Sequence, residues 1–335
     1  MTRRFVLFIS CALIAAAPAA AQARAKTETN PTVNPAGHIR GVVHTHRDAS
    51  RFRKGTNNLT YHYGPVMHAN QVYAVYWDPS GTIDPAYEST INRFFGDVAA
   101  DGQNGTIAAK TTNVYFSDTQ YYDGSTGNIL YSSAFDGTHA IVDTNPYPAN
   151  GCRDSYTSIC LSDGQIQSEV ASLISSRGLP TGTGVAYFLF TPKGVGSCAG
   201  TSCAFSYYCA YHSNLATGGN QVLYANMPYA NTVPAACGSG QSPNGSGGAG
   251  DADSTLNVTS HEHNEAITDP LGTAWFDRSG YENGDKCAWT FGTALGSTST
   301  SSPSTTKYNQ LINGHPYYLQ QEWSNARSGC VLTGT

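Results

Sequence analysis

The sequence predicts a single domain of the α/β (α+β) class: a mixed, twisted β-sheet flanked by helices and stapled by disulfides. Three observations carry this. Short β-branched and aromatic runs alternate with segments of helical period. Eight cysteines remain once an N-terminal export signal is set aside. Charged residues make up only 12% of the chain while Gly and Tyr abound, which suits a rigid, turn-rich exported fold and not a disordered one.

Residues 1–21 read as a secretory signal peptide, with Arg3 and Arg4 ahead of the apolar run from Phe5 to Ala16 and small residues Ala19 to Ala21 at the cleavage site. That run is too short to span a bilayer, and no later stretch is apolar enough, so no membrane insertion is expected. Loss of the two arginines deepens a net charge that is already −5, which argues against nucleic acid as a partner. The expected location is secreted or extracellular, with the periplasm as an alternative. Residues 22–57 are polar, with Pro31, Pro35 and a basic patch at Arg47, Arg51, Arg53 and Lys54. They show no hydrophobic period and are expected to form a flexible leader or pro-segment, with His38, His44 and His46 solvated.

The folded domain is expected over 58–335. Gln71 to Trp77 is a strand, closed by the turn Asp78-Pro79-Ser80-Gly81. Tyr87 to Ala99 is a helix, because Ile91, Phe94, Phe95 and Val98 form an i, i+3, i+4, i+7 stripe. Asn113 to Phe116 is read as the next strand. A second helix starts near Asp163 with Ile166, Val170, Leu173 and Ile174 on one face, and Arg177-Gly178 ends it. Val185 to Phe190 is the strongest strand. Phe205 to Tyr211 and Val222 to Asn226 follow, with a Gly218-Gly219 turn between them. Gly238 to Gly250 and residues 293–306 read as loops by composition. Tyr317 to Cys330 reads as strands around a turn.

The chemistry is concentrated in Ser260-His261-Glu262-His263-Asn264-Glu265-Ala266-Ile267-Thr268-Asp269-Pro270. On a helix, His261 and Glu265 share one face and Glu262 stands beside them. A histidine, an adjacent carboxylate and a ligand at i+4 form the pattern of a metallohydrolase helix, with Glu in place of the usual second histidine. His261 and Glu265 are therefore candidate ligands of one divalent metal, zinc favoured and calcium the alternative, and Glu262 is the candidate general base. Glu282 is favoured as third ligand. Asp285 would orient a ligand, and Asp269 would extend the helix face if Pro270 allowed it. His212, at a strand end, is a candidate oxyanion stabiliser. His263 falls off the ligand face and reads as structural, and Asp251 or Asp253 would cap the helix. The plain alternative is a polar surface helix ending at Pro270. The cysteines are expected to pair locally, 152 with 160, 198 with 203, 209 with 237 and 287 with 330, although eight allow 105 connectivities.

Several stretches together resemble the EXORDIUM-like, or phosphate-induced, secreted proteins. They are Leu59 to Val66 (LTYHYGPV), the strand ending in Tyr76-Trp77, Gln120 to Asp123 (QYYD), Cys203 to Ser213 (CAFSYYCAYHS) and Thr268-Asp269-Pro270 onward to Cys287. The resemblance implies an extracellular protein. Plant members are associated with growth and with sugar or phosphate status, and largely lack His261-Glu262-x-x-Glu265, so the chain looks like the bacterial and fungal branch. The order of strands and helices, with a late His-Glu helix, also resembles the zincin arrangement of metallopeptidases, a likeness of fold alone. The expected function is a secreted metal-dependent hydrolase acting on a peptide or protein substrate. The alternative is a non-catalytic extracellular protein that binds cell-wall glycan or signals, with a structural metal site.

Overall fold

The computed structural model describes residues 41–49, 56–103, 113–124, 127–300 and 304–335. The signal peptide and most of the leader, His38 included, lie outside them. Seven strands make the main sheet: β1 (Val42–His44), β2 (Asn70–Trp77), β3 (Ser133–Ala134), β4 (Ala140–Asp143), β5 (Gly182–Phe190), β6 (Tyr208–Thr217) and β7 (Asn220–Met227). Their order is β1-β6-β7-β5-β2, with β3 and β4 both along the far edge of β2. The β5–β7, β2–β5, β2–β3 and β2–β4 pairs are parallel, whereas β6–β7 and β1–β6 are antiparallel. This is the mixed sheet expected. Helices α1 (Pro85–Gln103), α2 (Asp163–Arg177) and α3 (Gly248–Thr268) pack against it.

Both amphipathic helices follow their periodicity. Ile91, Phe94, Phe95 and Val98 of α1 are at most 1% exposed, and each such burial contributes about 1.5–3 kcal/mol. In α2, Ser162 and Gln165 form a reciprocal capping box, and Gly178 closes the helix in the left-handed conformation. The four disulfides join 152–160, 198–203, 209–237 and 287–330, as local pairing predicted.

Four local expectations fail. Asn113 to Phe116 is no strand. The Asn113 side chain accepts the amide of Tyr115 and caps a 3-10 helix over Val114–Gln120, a local bond that competes with strand pairing. Neither Asp251 nor Asp253 caps α3, which starts three residues earlier, at Gly248. Asp251 is engaged by Tyr229, Asn231 and Lys193, and Asp253 by Asn244. The Ser/Thr-rich 293–306 stretch contains an antiparallel pair, Gly296–Thr300 with Ser304–Tyr308. Finally, residues 41–49 were expected to be part of a flexible leader. Val42 and Val43 are instead core residues of edge strand β1, followed by a short helical turn over His46–Ala49. Two adjacent valines are too short a run to register as a periodic signal.

Candidate metal centre

Helix α3 is buried all round from Ala252 to Thr268, so it is not the surface helix of the plain alternative. One side meets the apolar core. His263 packs edge-on to Phe95 and Phe188, with its ring nitrogens 3.0 Å from Asn70 Oδ1 and 3.1 Å from the Tyr115 hydroxyl. Burial pushes its pKa down to about 3, so it is a neutral, structural histidine. The other side carries His261, Glu262 and Glu265, all with 0% exposure.

Three further segments converge on that side. Strand β6 brings His212, whose Nδ1 lies 2.9 Å from Glu262 Oε2 and 3.7 Å from Glu265 Oε2. The 282–285 loop brings Glu282 and Asp285. It is fixed by Thr268, which donates to Asn283 Oδ1, by Asn283, which donates to Asp118, and by Trp323 N–H, which donates to the Asn283 carbonyl. Cys287–Cys330 ties it to the C-terminal hairpin. Strand β1 brings Val43, whose amide donates to Glu262 Oε1 at 3.2 Å.

Two overlapping sets of three ligand atoms result, each within 4.8 Å of one another: His261, Glu265 and Asp285, and His212, Glu265 and Glu282. Glu265 is shared. Its Oε1 lies 2.9 Å from His261 Nε2 and accepts the Asp285 amide at 2.8 Å, while its Oε2 faces His212. The grouping differs from the expected one. Glu282 joins His212 and not His261, with its Oε1 3.8 Å from His212 Nε2. Asp285 faces His261 directly, at 3.7 Å. Asp269 is in neither set. It caps α3, and its Oδ1 accepts the amides of Thr273 and Ala274, because Pro270 turns the chain there.

The electrostatics are those of a buried acidic cluster offset by two histidines. Glu262, Glu265, Asp269, Glu282 and Asp285 are crowded together, and His212 and His261 offset them. Burial pushes Glu282 and Asp285 well above the usual carboxylate range, and their acidic neighbours push further. Burial also raises Asp269, to about 6, and raises Glu262 despite its bond from His212. Burial works against the charge of His261, but Glu265 outweighs it and the ring is raised well above its ordinary value. Burial works against ionised Glu265 too, and His261 outweighs it. Three buried carboxylate oxygens here have no hydrogen-bond partner, Glu265 Oε2, Asp269 Oδ2 and Glu282 Oε1, and the only close polar neighbour of His261 Nε2 is Glu265 Oε1. Buried polar atoms are rarely left unpaired, and a divalent cation would satisfy several at once.

Several contributors had no sequence signal. Gln320 Nε2 lies 2.7 Å from His261 Nδ1 and 3.0 Å from the Gly284 carbonyl. Glu322 is fully buried behind the site with neither oxygen bonded, and burial holds it well above the carboxylate range. His44 packs edge-on to Tyr207, and burial lowers it to about 4. Gln320 and Glu322 belong to segments with no metal-ligand spacing, whereas His44, expected to be solvated in the leader, is instead largely buried. His62, by contrast, stacks on Phe276 at an exposed position.

The chain is 26% identical over 312 residues to "Protein EXORDIUM-like 3" of Arabidopsis thaliana, a match that covers 85% of this chain and 86% of the relative. It supports membership of the EXORDIUM-like family. The resemblance thus runs through nearly the whole chain and is not confined to one motif. No family model matches the chain, and no solved structure does. Among the described residues no helix is long and apolar enough to cross a membrane, and the four disulfides fit an oxidising compartment.

Proposed function

We propose that this EXORDIUM-like chain is a secreted, metal-dependent hydrolase, in effect a metallopeptidase, with zinc the favoured metal and calcium the alternative. One observation carries the reading: three separate segments besides β1 deliver two histidines and at least four carboxylates to one buried volume, with ligand-type atoms left unpaired. Each set mixes imidazole with carboxylate, which suits zinc better than calcium, and three protein ligands leave a position for water or substrate. A bound zinc would supply Lewis acidity and an activated water.

The chain's own residues would do the rest. Glu265 would hold the metal with His261 and Asp285, or with His212 and Glu282. Glu262, beside them, would take the proton of the attacking water. His212, held through Nδ1 by Glu262, presents Nε2 toward Glu282 and fits a ligand better than an oxyanion stabiliser. A ligating His261 Nε2 needs Nδ1 to carry the proton, so the Gln320 amide would have to turn its oxygen there and give up its bonds to the Gly284 carbonyl and the Trp289 amide. The site helix beneath a mixed sheet with an edge strand beside it is also consistent with the zincin-like arrangement.

The test is elemental analysis of the signal-free protein beside His261→Ala, followed by peptidase assays of Glu262→Gln. About one zinc per chain, lost in His261→Ala, supports the site. Glu262→Gln should keep the metal and lose hydrolysis. No transition metal in the wild type sinks the zinc reading.

A second reading is favoured by a different feature. Tyr61, Tyr63, Tyr122 and Trp275 form an aromatic cluster with ring centroids 5.1–5.5 Å apart. Tyr63 is 90% exposed and holds a left-handed backbone (φ 70°), an unfavourable conformation for an aromatic residue. Such a platform suits stacking on a sugar ring, as in an extracellular protein that binds cell-wall glycan and keeps a structural metal. Under that reading Tyr63→Ala loses retention on insoluble glycan, and Glu262→Gln changes nothing.

A further inference from the structure

The edge of β6 that borders the candidate metal centre is where an extended peptide would be held, and the chain's own N-terminal strand already lies there. Val42 and Val43 pair with Tyr211 and Ala210 in antiparallel register, and His212 N–H donates to the Gly41 carbonyl at 3.0 Å. The nitrogen of the Val42–Val43 peptide bond donates to Glu262 Oε1. A carboxylate engaged on one oxygen by this amide and on the other by His212 is poorly placed to take a proton from water. Gly41 lies against the His212 ring so closely that a Cβ there would stand 2.5 Å from it, and its φ of 62° favours glycine independently. Downstream, the His44 carbonyl accepts the Trp289 indole N–H at 2.8 Å, and the His46 ring packs on Trp289 with centroids 3.9 Å apart.

We propose that residues 41–46 occupy a cleft built for an extended peptide, so that the chain as folded is a latent form. Displacement of this strand opens the cleft to a peptide bound by strand addition along β6, with glycine required at the position against His212. The catalytic consequence rests on the hydrolase reading. The cleft itself does not, because it stands on the pairing of β1 and the fit of Gly41.

Two variants of the full signal-free chain displace the strand by different means. Val43→Pro removes the amide that reaches Glu262, and Gly41→Val drives a side chain into His212. A fluorescein-labelled peptide of sequence Gly-Val-Val-His-Thr-His is titrated by anisotropy, and tryptophan emission reports the loss of His46 from Trp289. The expected result is binding to both variants, no binding to the wild type, a shift in emission, and about tenfold weaker binding of the Ala-Val-Val-His-Thr-His peptide. Equal binding to wild type and variants overturns the proposal. So does unfolding of both variants, which would make β1 a constitutive part of the fold. Peptidase activity separates the two readings: peptide binding without hydrolysis in any metal-loaded variant sinks the hydrolase and leaves the cleft, while wild-type hydrolysis at the variants' rate sinks latency.

Discussion

Gly284 offers the cleanest test of the proposed metal centre and of the residues that would form it. A Cβ built there would lie 2.9 Å from Glu265 Oε1 and from Cγ and Cδ2 of His261. Ordinary contact begins at about 3.4 Å, so Gly284→Ala must push these atoms away by at least about 0.5 Å. Neither can yield freely, since both sit at 0% exposure on a helix packed on every side. About 0.5 Å is also the tolerance of a preorganised site, so metal affinity should fall about 10–100-fold. The backbone is no obstacle: Gly284 has φ −68° and ψ −47°, a conformation alanine favours. Overpacking of about 1–3 kcal/mol is thus partly offset by about 0.4–1 kcal/mol from the stiffer unfolded chain, and the melting temperature should drop by only a few degrees. The assay is zinc titration against a chromophoric chelator, with thermal melts alongside. Gly96→Ala in α1, where a Cβ meets nothing, is the control. It should stabilise by about 1 kcal/mol and leave zinc binding untouched. Wild-type affinity in Gly284→Ala would refute the placing of the metal between His261 and Glu265.

Three further predictions follow from the same structure. Burial lifts the Asp253 carboxyl from 3.8 to about 7. Its folded-state pKa exceeds the unfolded one, so its contribution is fully present below about pH 4 and is lost as pH rises through 7, with a ceiling of about 4 kcal/mol. Asp253→Asn should flatten the fall of melting temperature between pH 4 and 7, and parallel profiles would contradict the assignment. Lys286 is buried with its Nζ 3.1 Å from Asp277 and 4.2 Å from the Trp323 ring centroid. Lys286→Ala leaves the buried Asp277 carboxylate with only the amides of Ser279 and Tyr281 and should cost about 3–5 kcal/mol in urea unfolding, whereas a loss under about 1 kcal/mol would show that those amides or water suffice to hold its charge. Removal of Cys287–Cys330, which closes a loop of sequence separation 43, should cost up to about 4 kcal/mol. Zinc affinity should fall with it, since this link holds Asp285; unchanged affinity would show that the hydrogen bonds of Thr268, Asp118 and Trp323 to Asn283 suffice to fix the loop.

Periodicity and chemistry were legible wherever a residue's role depends on its near neighbours. The stripe at Ile91, Phe94, Phe95 and Val98, the end of the second helix at Arg177-Gly178, and the clustering of cysteines into local pairs are all short-range facts. The same holds for His261, Glu262 and Glu265, whose shared face follows from 3.6 residues per turn, and for His263, whose offset turns it into the core. What lies far apart in sequence was decided only on folding. His212 stands 50 residues before Glu262 and Val43 stands 219 before it, and both reach that carboxylate because β1 and β6 pair beside α3. The division of Glu282 to His212 and Asp285 to His261 depends on a loop held by Asn283, Thr268 and Trp323, none of which carries a ligand pattern. A pair of valines in a polar leader shows no period, yet an edge strand needs only one neighbouring strand to accept it. Local chemistry named the candidate ligand helix, and tertiary packing decided which carboxylate faces which histidine and what lies across them.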